Sequence, residues 1–353
     1  MERRRFLIAA AAGVATAACA QERQVDLYER VDTPGRIGRP PLAATQDFLD
    51  SRAAKADDRG RWIECAPLAL PRSEMGEGCA LADRLHVIGG YGAQRVDRGY
   101  HAVYDPKGER WSDAAPLPRG ANHIGIAAVG GRIYAIGGFV EQNRRPHDQC
   151  YVYDAGADRW REIARLPMPA GSIGCAALDG RLHAVGGATG DTTDVKKSLD
   201  WHLVYDDAAD RWTRRAPLPT PRDHVGIVAS PVGLHVIGGR VDSFNTNSDL
   251  HHVYRDADDR WTPRRALPTP RSGHAAVLYR ERVFVMGGEG TERVFGQLEG
   301  YDVANDRWAQ YAPMATPRHG FAAAALSDGL HVAGGGALNG GSVQSAVHER
   351  FVL

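Results

Sequence analysis

Residues 205–239, YDDAADRWTRRAPLPTPRDHVGIVASPVGLHVIGG, decide how this chain is built. The stretch holds a Tyr-Asp, an Arg-Trp, a Pro-containing turn, an apolar run and a Gly pair, and versions of it recur along nearly the whole sequence. The Trp stands at Trp62, Trp111, Trp160, Trp212, Trp261 and Trp308, and the Gly pair begins at Gly89, Gly137, Gly186, Gly238, Gly287 and Gly334. Trp and Gly pair are 27 residues apart in the first copy and 26 in the other five; successive Gly pairs are 48, 49, 52, 49 and 47 apart. A period near fifty held over six copies is a repeat architecture.

Each copy reads as four short strands. In the fourth, residues 225–229 are apolar, 233–237 lead into the Gly pair, 251–254 form a third strand and Arg260-Trp261-Thr262 begins a fourth. Apolar positions alternating over four or five residues between Gly and Pro are strand signals. A four-stranded antiparallel sheet is too small to hide its own faces, so such sheets stack. Six placed radially around a channel make an all-β, six-bladed propeller.

The chain of 353 residues carries 43 basic and 43 acidic side chains, so no global field draws it to nucleic acid or an anionic membrane. Residues 1–20 read as an export signal: Arg3-Arg4-Arg5-Phe6-Leu7, a mild apolar run, then Cys19-Ala20-Gln21. Arg3 and Arg4 resemble a twin-arginine pair, which predicts a periplasmic or secreted protein. Thr16-Ala17-Ala18-Cys19 loosely resembles a lipobox, so the membrane enters only if Cys19 is lipidated. Residues 21–58 are a polar leader, and the repeats fill 59–353. Cys79 and Cys175 share a Gly-Cys-Ala position and read as small buried residues. There is no C-x-x-C, and the sequence brings no Cys and His together in zinc-type spacing. No metal and no cofactor is expected.

Pro-Arg, an apolar strand, aromatic-x-x-Gly-Gly, Tyr-Asp and Trp, repeated in phase over residues 60–353, resemble the Kelch family. The third copy departs from it, reading Pro167-Met168-Pro169-Ala170 without the Arg. The family's aromatic before Gly-Gly is kept as Tyr134 and Phe284 but becomes His86, His183, His235 and His331, read here as packing residues rather than ligands. His251 and His252 point to opposite faces of one strand and cannot chelate together. The Arg before each Trp reads as an exposed partner for nearby Asp such as Asp210 or Asp259. The first copy starts at Arg61-Trp62 and the last stops after three strands, so the N-terminal fragment is expected to complete the C-terminal blade and close the ring.

In propellers the loops from strand four to the next strand one, and from strand two to strand three, share one rim. The first kind carries Arg72, Arg119, Arg222, Arg271 and Arg318, with His123, His224, His274 and His319 nearby; the second carries Arg240 and Asp242. The expectation is a cationic, imidazole-rimmed channel mouth, lopsided toward Arg222, Arg271 and Arg318, that holds a carboxylate, a phosphate or an acidic side chain. The competing reading makes each Arg a tie between elements of the scaffold. No Gly-x-Ser-x-Gly elbow, P-loop or H-E-x-x-H appears, and no catalytic set is assigned. The leading expectation is an exported binding module for an anionic small molecule or a protein partner. The alternative, by fold-level likeness to sialic acid mutarotase, is a mutarotase or epimerase acting on an acidic sugar. Glu74, Asp223 and Asp242 are the acids that would have to face the pocket.

Overall fold

The computed structural model describes residues 59–190, 196–243 and 245–353. The expected export signal and leader, Cys19 included, lie outside the described residues. Six four-stranded antiparallel sheets form the ring. The second blade is representative: Gly125–Val129 lies innermost, followed outward by Arg132–Ile136, Cys150–Asp154 and Arg159–Ile163. Innermost strands are built from small residues, as in GCAAL of Gly174–Leu178 and AAAAL of Ala322–Leu326, because six of them crowd one axis.

The repeat's fixed points have visible jobs. Each Trp indole N–H donates to a main-chain carbonyl of the preceding blade: Trp111 to Ala66, Trp160 to Ala115, Trp212 to Ala164, Trp261 to Ala216, Trp308 to Arg265 and Trp62 to Ala312, at 2.7–2.9 Å. The Tyr of Tyr-Asp packs on its own blade's Trp, with ring centroids 5.1 Å apart for Tyr301 and Trp308. Its hydroxyl donates to an Asp five residues on: Tyr153 to Asp158 at 2.7 Å, Tyr254 to Asp259 at 2.8 Å. That Asp also accepts a backbone N–H of the preceding blade, Ala115 for Asp158 and Ala216 for Asp259. Asp210 and Asp259 are therefore inter-blade clamps and not partners of the Arg before Trp, a correction to the sequence reading. Arg211 instead lies 3.9 Å from Asp206 on the surface.

Ring closure follows the expected scheme. Arg61–Glu64 pairs with His348–Val352 in register Arg61↔Val352 to Glu64↔Glu349, completing the sixth blade. The extra residue in the first copy is a bulge before the innermost strand Cys79–Leu81. It displaces Cys79 by one position: Cys79 lies opposite His86, whereas Cys175 lies opposite Ala184, the residue after His183. The two cysteines thus do not share a repeat position, although both are buried as expected.

Candidate functional site

The site begins with a backbone conformation. Two residues past the repeat Arg, or its Ala170 equivalent, the third, fourth, fifth and sixth blades hold a left-handed residue: Ser172, His224, Gly273 and Gly320, at φ between 52° and 62°. Glu74 (φ 52°) and His123 (φ 50°) take the corresponding places in the first two blades. Neighbours are linked in a belt around the axis: N–H of His123 to C=O of Glu74, Ser172 to His123, His224 to Ser172, Gly273 to His224 and Gly320 to Gly273, at 2.8–3.3 Å. Gly adopts this conformation without steric cost, whereas side chains there cost roughly 1–2 kcal/mol each. Four blades bear that cost with Glu, His, Ser and His, which turns chemically able side chains toward the channel.

A second ring sits above the belt. The residue after each Gly pair forms an isolated bridge with the neighbouring loop: Ser73↔Tyr91, Asn122↔Phe139, Gly171↔Ala188, Asp223↔Arg240, Ser272↔Glu289 and His319↔Gly336. Tyr91, Arg240 and Glu289 of this ring join Glu74, His123 and Asp223 around a cavity of about 520 Å³ at the channel mouth, with Arg95, Asn143, Lys196, Asp242 and Ser243 on its wall. That volume suits a small molecule.

The charges are paired at the cavity floor. Glu74 accepts from His319 at 2.7 Å and lies 3.1 Å from His123. Burial alone would raise the Glu74 carboxyl, but the two histidines outweigh it and hold it well below the usual range. His319 sits between Glu74 and Glu289 (3.2 Å) and donates from Nδ1 to the Gly336 carbonyl. Burial opposes its charge, yet Glu289 and Glu74 raise it to about 9. Asp223 pairs with His224 Nδ1–H, with Arg240 Nε at 3.1 Å and with the Ser198 hydroxyl at 2.6 Å. These partners overcome burial and keep it ionised. His224 is lowered to about 3, first by burial and then by Arg240, so it is neutral and its Nε2 accepts from Arg240 at 2.9 Å. Lys196, packed 4.0 Å over the Phe139 ring, is lowered to about 7, chiefly by burial. An amine poised near neutrality can take or give a proton.

Below the mouth the channel narrows past His224, His274 and Phe321 into a lumen lined by Ala, Cys, Ile and Val. The first-blade bulge puts Glu77 there. Burial, only partly offset by the Ile227 N–H, raises its carboxyl well above the usual range.

Of the residues expected at the mouth, His123, Arg240 and Asp242 line it, and His224 and His319 stand directly beneath. The three acids Glu74, Asp223 and Asp242 all face it. The arginine expectation is corrected. Arg72, Arg222, Arg271 and Arg318 are buried and tie the scaffold: Arg72 to the Tyr100 carbonyl, Arg222 to the Gly238 and Leu250 carbonyls and to His252, Arg271 to the Val285 carbonyl and Glu299, Arg318 to the Gly334 and Val347 carbonyls and Glu349. Arg119 is exposed and donates to Gln149. His274 is likewise structural, bonding the Ile237 carbonyl at 3.1 Å. The mouth is therefore of mixed sign, not a cationic ring, and the lean toward Arg222, Arg271 and Arg318 is absent. Sequence reasoning missed Tyr91, Arg95, Lys196 and Glu289. The position after each Gly pair was a usable signal for Tyr91 and Glu289; Lys196 lies in a loop without repeat register.

Comparison with known proteins agrees with this architecture. A profile for the KLHDC2/KLHL20/DRC7 Kelch-repeats domain matches residues 172–349, and one for the Kelch motif matches 121–167. The Kelch-like protein terF of Aspergillus terreus is 28% identical over 69% of this chain and 58% of its own length. Kelch-like ECH-associated protein 1A of Danio rerio is 29% identical over 26% of this chain and 16% of its own length. The chain thus spans less than two thirds of each of these relatives. The solved structure of YjhT shares the fold with TM-score 0.69 and 14% identity, covering 80% of this chain and 95% of that one. With six four-stranded blades, a ring closed by its own first strand and a family profile spanning half its length, this chain belongs to the Kelch-repeat family of β-propellers.

Proposed function

We propose that the channel mouth binds a small polyhydroxylated molecule, with acidic sugars as the leading class, and moves a proton on it as a mutarotase or epimerase does. One observation carries this reading: ionised carboxylates paired with histidines lie at the floor of a 520 Å³ cavity whose wall carries Lys196, its amine held near pKa 7. Closely mixed donors and acceptors suit a ligand rich in hydroxyls, and Arg95 offers its acidic group a place. Sugar ring opening needs a proton removed at one oxygen and delivered at another, which a Lys196 amine and the His123–Glu74 pair can share. The test is magnetic-resonance exchange spectroscopy of galacturonic, glucuronic and N-acetylneuraminic acids with the purified protein. Accelerated anomeric exchange that falls about 100-fold or more in Glu74→Gln supports the reading. No binding and no acceleration with any of them sinks it.

Kelch propellers generally serve protein binding, and that is the second reading; the long loop after the fourth Gly pair, carrying exposed Asp242 and Ser243, favours it. We place either activity outside the cytoplasm on the strength of Arg3, Arg4 and the apolar run after them. Unimpaired export of the double variant Arg3→Lys, Arg4→Lys would remove the twin-arginine route.

A further inference from the structure

Ring closure assembles a cluster that lies far from the mouth. Cys65 follows the closing strand, and its backbone N–H donates to the His348 carbonyl at 2.9 Å, so the two are cross-strand neighbours. His348 in turn faces His331 of the adjacent strand, with His331 Nδ1 and His348 Nε2 2.9 Å apart. One donor atom from each of Cys65, His331 and His348 lies within 4.8 Å of the other two.

The outer hydrogen bonds of the two rings define what the inner nitrogens can do. His331 Nε2 is 2.8 Å from an Asp328 carboxylate oxygen, and His348 Nδ1 is 3.0 Å from the Ala66 carbonyl. A carboxylate and a carbonyl only accept, so both rings donate outward. Two neutral rings that donate outward point bare lone pairs at one another across 2.9 Å. That arrangement needs a proton or a metal ion at the inner nitrogens. It is also the outer shell that holds metal-bound imidazoles, a carboxylate behind one ring and a carbonyl behind the other.

Related His pairs in other blades lack one or both features. In the fourth blade His235 Nε2 meets the Ser230 hydroxyl at 2.7 Å, which can donate, so His235 Nδ1–H is free to donate to His251. In the third blade His183 Nε2 has no hydrogen-bond partner among the described residues, so Nδ1 can carry the proton toward His202. The residue opposite the third-strand His is Ala114, Arg215 and Arg264 in the first, third and fourth blades; it is a cysteine in the sixth.

We propose that Cys65, His331 and His348 form a divalent-metal site of zinc type, which clamps the closing strand to the sixth blade. The thiol would bind as thiolate, releasing its proton to solvent, while Nδ1 of His331 and Nε2 of His348 supply neutral imidazole ligands. Soft sulfur with two imidazoles selects zinc, or cobalt as its spectroscopic stand-in, over magnesium or calcium. Cys65 is partly exposed, so a water would supply the fourth ligand of a tetrahedral site.

The test uses the full chain, stripped with chelator, then given Zn²⁺ alone or Co²⁺ alone. The expected result is one tightly held metal ion per chain, a thiolate-to-cobalt charge-transfer band, and a melting temperature that rises with zinc. Cys65→Ala, which copies Ala114 of the first blade, should keep the fold but lose the band and the zinc-dependent rise. His331→Phe, which copies Phe284 of the fifth blade, should do the same. Asp328→Asn should weaken binding about tenfold or more, as loss of an outer-shell carboxylate does, and Glu74→Gln should leave it unchanged. Zinc bound by Cys65→Ala as tightly as by the parent chain overturns the site. So does failure of the parent chain to retain any metal, in which case a proton alone bridges the rings.

Discussion

At the scale of single residues, neutral imidazole is the recurring device. His86, His183 and His235 stand where the family usually carries an aromatic, and each bonds a second His one strand outward at 2.8–2.9 Å. Burial lowers them: His86, His202 and His235 to about 4, and His101, His183 and His251 to about 3. An unfolded His takes up its proton near pH 6.5, while these do not until pH 3–4. The folded state therefore loses stability steadily as pH falls below about 6.5. Denaturant titrations between pH 7 and 4.5 should show this, and His183→Tyr, which copies Tyr134, should flatten the slope by about one proton; an unchanged slope counts against it. The buried arginines make a second prediction. Arg271 and Glu299 are a fully buried pair 2.6 Å apart, so Arg271→Ala should cost roughly 3–5 kcal/mol of stability by stranding the carboxylate. Ligand affinity at the mouth should survive, and a large affinity loss in a still stable variant would return Arg271 to the site. The sequence showed where these arginines recur but not where they aim. Whether an Arg reaches the lumen or folds back on a carbonyl depends on partners such as Glu299, which sits twenty-eight residues away in sequence.

At the scale of the element, the first blade is the exception that matters. Its single extra residue was visible as 27 against 26 in the Trp to Gly-Gly spacing. Its consequence was not, because a bulge's direction is set by the sheet it interrupts. Here it delivers Glu77 to the apolar lumen, where burial keeps the acid protonated against its ordinary range. An acid raised in the folded state weakens folding as pH climbs, since the unfolded chain ionises first. Glu77→Gln should thus stabilise the protein, by an increment growing at roughly 1 kcal/mol per pH unit above the ordinary carboxyl range until Glu77 itself ionises. Thermal unfolding at pH 5 and pH 8 measures it, and equal increments at both would contradict the assignment.

At the scale of the whole molecule, the six-blade ring was legible because periodicity survives any local misreading, and the split blade was legible from its missing Trp. The mouth was half legible: residues in repeat register, such as Asp223 and His224, could be placed, and Lys196 could not. The Cys65 cluster was illegible, since only closure brings residue 65 beside 331 and 348. Removing residues 345–353 takes away the strand that joins Arg61–Glu64 to Gly329–Ala333. Two sheet edges are then bared, and aggregation or loss of a cooperative transition is expected; a truncated chain melting like the parent would show another mode of closure. The same pairing sets a clock. Arg61–Glu64 leaves the ribosome well before its partner His348–Val352. At ordinary elongation rates the first strand waits roughly 15–60 s for its mate. Throughout that interval it is an unclaimed β-edge, and whatever shields it decides when the propeller comes into being.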